Sequence, residues 1–426
     1  MPSILPNTPE YKKAQRQYLK ATKNRPANID QEWTPFRAAE KRFKARFPPL
    51  DLSSVLDLAT RNDSRIPEIE NGIWAGSPDA VKCIQISSDT QSAYIVPQIP
   101  EKQRDLVRWS LAEHSRHPNE TNLDIHYVLP KDGLWNACLR ARGDPEQDFL
   151  IQPRASICDS HYISLAGPRE LVNNTPASPE SFKEILTTPK IPQTPSPTVQ
   201  PTSISSLIYK LRWANIGWYY HWGTKQYDFT KGPGVINDEL RSICKQAVGS
   251  VNWERVHGSS DANWGPEGPN WYAWDQTYEP DAGIVNFYQE KDTLMAHVDH
   301  SEICATSPLV SISLGNAAIF LIGGLTRDTE PTAILLRSGD IAIMSGPACR
   351  RAYHAVPRIL EGSLPPHLKV ASFGDDIQRT EWEPYEEYLS TTRININVRQ
   401  VFPKGFDPMK ACPSINSMHD SSDANG

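Results

Sequence analysis

In the stretch Ala296-His297-Val298-Asp299-His300-Ser301-Glu302, an imidazole and a carboxylate stand two residues apart. On a strand or at its end, the period of two turns both side chains to one face, so they converge on one point. A second imidazole, His354, completes a facial set of two histidines and one carboxylate. Such a set leaves coordination positions open and suits non-haem Fe(II) chemistry. A lone His-x-Asp pair carries little weight, because an isolated buried histidine is more often a hydrogen-bonded core residue than a ligand. His300 should face away from the pair, as a supporting or surface group. His221 is the other contender, and its aromatic surroundings fit packing or substrate contact better. Further on, Arg393, Asn395, Asn397 and Arg399 share one face of a strand, while Ile394, Ile396 and Val398 share the other. Two guanidiniums pointing into a fold need an anion to answer them.

The elements around these residues read as short strands. Ile284–Tyr288, Leu309–Leu314, Ala318–Ile322 and Ala333–Leu336 are candidates, and Ser338-Gly339-Asp340 turns the chain into Ile341–Met344 as a hairpin. Many short strands without regular intervening helices indicate a sandwich or jelly roll rather than a parallel α/β sheet. Helices are expected over 9–25, 36–47, 100–114 and 237–248, with a further short one over 50–59; strands are expected over 80–86 and 92–96. Residues 175–206 are rich in Pro, Ser and Thr and read as a disordered linker or loop. The aromatic run Gly217–Trp222 reads equally as hairpin packing or as a stacking wall for a base. Residues 258–275, with Trp264, Trp271 and Trp274, read as a long loop beside the site.

At 426 residues with a net charge of −6, the chain is not a generally basic nucleic-acid protein. Its start differs: between Tyr11 and Phe47 there are eleven Lys or Arg against three Asp or Glu. This reads as a solvated basic helix, or alternatively as a phosphate-contacting surface. Seven cysteines without a CxxC pair favour reduced thiols over a disulfide framework or zinc ribbon. No apolar run reaches membrane-spanning length and no secretory signal opens the chain. The nucleus or cytoplasm is therefore expected, with the mitochondrion as the alternative.

Taken together, these motifs resemble the AlkB family of Fe(II)- and 2-oxoglutarate-dependent dioxygenases. The resemblance is carried by Asn286-x-Tyr288, His297-x-Asp299, Ser313-Leu314-Gly315, Gly323-Gly324-Leu325, Ser338-Gly339-Asp340, His354 and Arg393-x-Asn395-x-x-x-Arg399. It is especially similar to the eukaryotic branch of the first animal AlkB homologue, through Leu211-Arg212-Trp213, His354-Ala355-Val356-Pro357-Arg358 and, toward the N-terminus, Phe36-Arg37 and Asn122-Leu123-Asp124. It implies an α+β chain with a double-stranded β-helix (jelly-roll) core over 207–401. An N-terminal helical or mixed extension would cover 1–174, the linker 175–206, and a flexible tail 402–426.

The resemblance also implies roles. His297, Asp299 and His354 would hold iron, with O2 and 2-oxoglutarate as cosubstrates. Arg393 would pair with the distal carboxylate of 2-oxoglutarate, for which a planar fork is suited. Asn286, Tyr288 and Asn395 would hydrogen-bond it, and Arg399 would support its keto-acid end and Asp299. Trp135, Tyr220 and Trp222 are expected as the substrate wall. The implied activity is oxidative demethylation of 1-methyladenine or 6-methyladenine in tRNA, mRNA or DNA, with release of formaldehyde. Alternatives are a histone hydroxylase or demethylase and a non-catalytic nucleic-acid-binding module. Bacterial AlkB carries an acid two positions after the iron-binding Asp, where this chain has Ser301.

Overall fold

The structure, a computed structural model, describes residues 33–57, 100–154, 177–406 and 408, apart from 189, 191–194, 197, 252, 258–268, 305, 347, 348 and 404. The expected helix over 9–25 and strands over 80–86 and 92–96 lie outside these residues. Among the described residues are nine strands of four or more residues: β1 (Trp213–Gly217), β2 (Ala282–Gln289), β3 (Leu294–His297), β4 (Leu309–Gly315), β5 (Ala318–Ile322), β6 (Thr332–Leu336), β7 (Ile341–Met344), β8 (His354–Ile359) and β9 (Thr392–Arg399). They form two antiparallel sheets, one ordered β7-β4-β9-β2-β1 and the other β6-β5-β8-β3. With the helices this is a mixed α+β arrangement. No helix among the described residues is long and apolar enough to cross a membrane.

The alternation in β9 organises the larger sheet. Its register sets Arg393 between Tyr288 and Gly315, and Asn395 between Asn286 and Ser313, so one face is polar. The reverse face, with Val285, Phe287, Ile312, Leu314, Ile394 and Ile396, is sealed in the main core. Burying each such side chain contributes about 1.5–3 kcal/mol. That core is closed by helices α2 (Pro100–Ala112), α3 (Leu134–Gly143), α5 (Asp238–Gly249) and α6 (Asp376–Thr391). The smaller sheet is covered instead by α1 (Pro35–Lys44), whose Phe36 and Phe43 pack with Ala296, Leu321, Leu335 and Ala355. Local chemistry starts these helices: Asn237 caps α5 by accepting from the Glu239 N–H at 2.9 Å, and Asp375 caps α6 by accepting from the Gln378 N–H at 2.8 Å.

Three expectations are corrected. Residues 50–57 hold no helix; Leu56 bridges the edge strand β6, donating to the Ala333 carbonyl at 2.8 Å and accepting from the Leu335 N–H at 2.9 Å. An edge strand offers unpaired groups, and this segment satisfies them. The turn at 338–340 closes no hairpin, since β6 pairs with β5 and β7 with β4. Gly339, at φ 91°, hands the chain from one sheet to the other, and its N–H donates to the Ser313 carbonyl at 2.7 Å. Within 175–206, α4 (Phe182–Thr187) buries Phe182 and Ile185. Phe182 meets Phe229 at 5.2 Å and Phe402 at 5.7 Å, which draws both this segment and the start of the tail onto the fold.

Candidate active site

The end of β3 and the start of β8 are paired, with His297 directly opposite His354. Their ring centroids are 4.3 Å apart. Each ring shares its Nδ1 with the backbone carbonyl two residues earlier, His297 with Met295 at 2.9 Å and His354 with Ala352 at 3.0 Å. With Nδ1 protonated toward a carbonyl, each Nε2 is left as the free lone pair, which is how metal-binding histidines are usually oriented. Asp299 lies just beyond β3, its Oδ1 3.9 Å from His297 Nε2. The ligand atoms of His297, Asp299 and His354 all fall within 4.8 Å of one another. Burial, seconded by the nearby His297, pushes His354 down to about 4, so it is neutral and able to ligate at physiological pH.

Asp299 is held from the opposite sheet. Arg399, at the end of β9, donates through Nη2 to Asp299 Oδ2 at 2.8 Å. Burial alone would raise the Asp299 carboxyl; the Arg399 guanidinium, through its charge and its hydrogen bond, outweighs burial and holds the group far below its usual range. Behind Arg399 stands Glu302, whose Oε1 is 3.0 Å from Arg399 Nε in an ion pair too bent to count as a hydrogen bond. Its Oε2 is 3.4 Å from Arg350 Nη2, and Arg350 Nε donates to the Ser307 carbonyl at 3.1 Å. Glu302, Arg350 and Arg399 are all buried.

Arg393 has a different environment. It is buried on the polar face, donating to Ser313 Oγ at 2.7 Å and to the Asn316 carbonyl at 3.2 Å. Its Nε has no partner, and no carboxylate among the described residues forms an ion pair with it. Burial pushes it down to about 10, which leaves it charged at neutral pH. A buried, charged, partly unanswered fork is what a dicarboxylate would complete. Tyr288 and Asn286 are its neighbours on β2, and Asn395 donates to Ser311 Oγ at 2.8 Å.

The expected substrate residues separate. Tyr220 sits on a two-residue ladder, Tyr220–His221 against Gln226–Tyr227, with its hydroxyl on Ser301 and Asp299 nearby. Ser301 also donates to the Lys225 carbonyl at 2.9 Å, tying that ladder to the metal ligands. Trp222 packs edge-on against Tyr220 at 5.0 Å and against Trp213 at 5.2 Å. Trp135 does not belong here: it is 2% exposed in the main core, wedged against Tyr385 at 4.9 Å and Tyr388 at 5.6 Å. Its neighbour Gly133, at φ 91°, starts a helix that turns Trp135 inward. His221 engages Thr224 through Nδ1 at 3.0 Å and is no part of the triad. His300 shares its Nδ1 with the Val298 carbonyl at 3.0 Å. Sequence reasoning missed Ser313 as a partner of Arg393 and Glu302 as the partner of Arg399; only their positions, facing Asn395 and three residues past Asp299, hinted at either.

Comparison with known proteins accords with this geometry. A family model described as the 2OG-Fe(II) oxygenase superfamily matches residues 171–399. The chain is similar to the Schizosaccharomyces pombe protein named tRNA demethylase abh1, 34% identical over 383 residues, which cover 86% of this chain and 96% of that one. It is also similar to the Arabidopsis thaliana protein named DNA N(6)-methyladenine demethylase ALKBH1A, 29% identical, with 88% of this chain and 99% of that one covered. The Mus musculus protein named nucleic acid dioxygenase ALKBH1 is 30% identical over 73% of this chain and 64% of its own length. The paired histidines, the carboxylate and the unanswered arginine fit the iron and the oxoacid that this superfamily uses, and the chain belongs to the 2OG-Fe(II) oxygenase superfamily as an AlkB-like dioxygenase.

Proposed function

We propose that the chain is an oxidative nucleic-acid demethylase that removes the methyl group of 1-methyladenine or 6-methyladenine in RNA or DNA, working from a double-stranded β-helix formed by the two sheets. The observation that carries this reading is the aromatic ladder anchored on Ser301. Tyr220 stands beside Asp299 and Trp222 packs edge-on against Tyr220, both as flat, half-buried rings. A flat base can stack on such rings. A base in a loop or single strand reaches such a shelf at lower cost than one that must leave a duplex. The names of the fission yeast, Arabidopsis and mouse relatives support a nucleic-acid substrate, and they differ on which nucleic acid.

In this reading His297, Asp299 and His354 hold Fe(II), Arg393 takes the distal carboxylate of 2-oxoglutarate, and Asn286, Tyr288 and Asn395 line its length. When bound, iron and 2-oxoglutarate supply a two-electron oxidation by O2: one oxygen atom enters the methyl C–H bond, the other ends in succinate, and CO2 leaves. The protein's part is to orient and shield. Arg399 keeps Asp299 ionised and aimed, Arg393 fixes the cosubstrate, and the ladder presents the base. The hydroxymethyl group then breaks away as formaldehyde and restores the base N–H. The test is a mass-spectrometric nucleoside profile of tRNA, mRNA and genomic DNA treated with wild-type protein and with Asp299→Ala, with a histone peptide in parallel. A fall in a methyladenosine, matched by formaldehyde and absent with Asp299→Ala, is the expected result. Turnover of the peptide alone would replace this reading with a protein substrate.

A further inference from the structure

The strand carrying His297 is an edge strand, since β3 ends the order β6-β5-β8-β3. Edge strands expose backbone groups and are the most easily displaced part of a sheet. Here both backbone groups of Ala296, the residue before the ligand, are taken by side chains from outside the sheet. Its N–H donates to Glu40 Oε1 at 2.8 Å, and its carbonyl accepts from Arg327 Nη2 at 3.1 Å. Glu40 comes from α1 and is 4% exposed. Its other oxygen accepts from Arg37 Nη1 at 2.9 Å, so the carboxylate is fixed at both ends.

The brace is closed through a second route. The Phe36 N–H donates to the Arg327 carbonyl at 3.1 Å, joining α1 to the loop that supplies the other half of the clamp. The Phe36 ring lies over Gly323, where an added Cβ would come within 2.7 Å of it. Only glycine allows that approach. In the same layer, Ala296 and Ala355, the residues adjoining His297 and His354, pack in one cluster with Phe36 and Phe43. Thus α1, far from the triad in sequence, covers Ala296 and Ala355, which adjoin the two histidines, and hydrogen-bonds Ala296.

We infer that Glu40, with Arg327, is a positioning residue for the metal site: it fixes the backbone of β3 and thereby the aim of His297. The proposal rests on the iron reading of the triad, and it predicts that metal affinity depends on a helix that touches no ligand atom. Outer supports of this kind are worth about ten- to a hundredfold in metal affinity. The experiment titrates Co(II), a stand-in for Fe(II), into the full chain without 2-oxoglutarate, using wild type, Glu40→Leu, Glu40→Gln, Arg327→Ala and Phe43→Leu. Hydrogen exchange of the 294–297 segment is followed in the metal-free proteins. Glu40→Leu is expected to weaken Co(II) about tenfold or more and to speed exchange there; Glu40→Gln, which keeps an acceptor, stays close to wild type. Arg327→Ala shows a smaller loss, and because its side chain is exposed it serves if Glu40→Leu does not fold. Phe43→Leu lowers the melting temperature but not the affinity. Wild-type affinity or exchange in both Glu40→Leu and Arg327→Ala would overturn the proposal, as would a Phe43→Leu loss equal to that of Glu40→Leu. Failure of the wild-type protein itself to bind Co(II) would instead remove the iron reading, and the proposal with it.

Discussion

Arg399 donates to Asp299 across the gap between the two sheets, at 2.8 Å, from the last residue of β9 to the first turn beyond β3. The contact joins the strand that carries Arg393 to the loop that carries the metal ligand Asp299. Both groups are largely buried, so breaking the pair leaves a charge without its answer, which costs about 3–5 kcal/mol. Arg399→Leu is therefore expected to destabilise the protein by that order and to weaken metal binding about tenfold or more. Urea unfolding and metal titration on the same sample check both. Full metal affinity in Arg399→Leu would show that Asp299 is aimed without it.

Arg393 makes the opposite expectation for stability. A buried guanidinium with an orphaned Nε is a cost in the ligand-free protein, and under the proposed function a dicarboxylate bound there would remove it. 2-Oxoglutarate should raise the melting temperature of wild type in proportion to the logarithm of its concentration. Arg393→Met is expected to melt no lower than wild type without 2-oxoglutarate, to show no such rise with it, and to lose about 2–5 kcal/mol of cosubstrate binding. Differential scanning fluorimetry across a 2-oxoglutarate series, with metal affinity as the control, reads all three.

Both of these residues were legible in the sequence, because period-two alternation in Arg393–Arg399 needs no tertiary information to predict a shared face. His297 and Asp299 were legible for the same reason, and His354 once several strands lay between. Partners in the third dimension were not. Glu40 is 256 residues from Ala296, and nothing in the local pattern ties Glu302 to Arg399. The helix Asp376–Thr391 was also hidden: Pro384 sits inside it and its residues are mostly polar, yet Trp382, Tyr388 and Leu389 give it a buried stripe. The turn at Gly339 misled because turn chemistry alone does not say whether the next strand returns to the same sheet.

Trp135 and the ladder aromatics are now expected to behave differently. Trp135→Ala empties a core position and should cost about 3–5 kcal/mol of stability, seen in urea unfolding. Tyr220→Ala and Trp222→Ala should leave the melting temperature nearly unchanged and raise KM for a methylated oligonucleotide, by about 1–3 kcal/mol of lost stacking each. Decarboxylation of 2-oxoglutarate without substrate should persist in both. If Trp222→Ala leaves KM unchanged, the base is received elsewhere.

His114 predicts how stability follows pH, away from the metal ligands. The ring is buried beyond the end of α2, and neither nitrogen has a partner. Burial pushes it from 6.5 down to about 4. The native state therefore binds fewer protons than the unfolded chain between these values, so stability rises with pH across that window. The contribution is complete above pH 6.5 and is lost as the pH falls toward 4. At about 1.4 kcal/mol per unit, the full loss is about 3 kcal/mol, and roughly 2 kcal/mol of it has gone by about pH 5. His114→Phe replaces unpaired polar atoms with an apolar ring of similar shape, which is neutral or mildly stabilising at pH 7. Urea unfolding at pH 7 and pH 5 should give a smaller drop in the variant than in wild type, by about 2 kcal/mol. Equal drops in the two proteins would mean that His114 is solvated or paired in the native state.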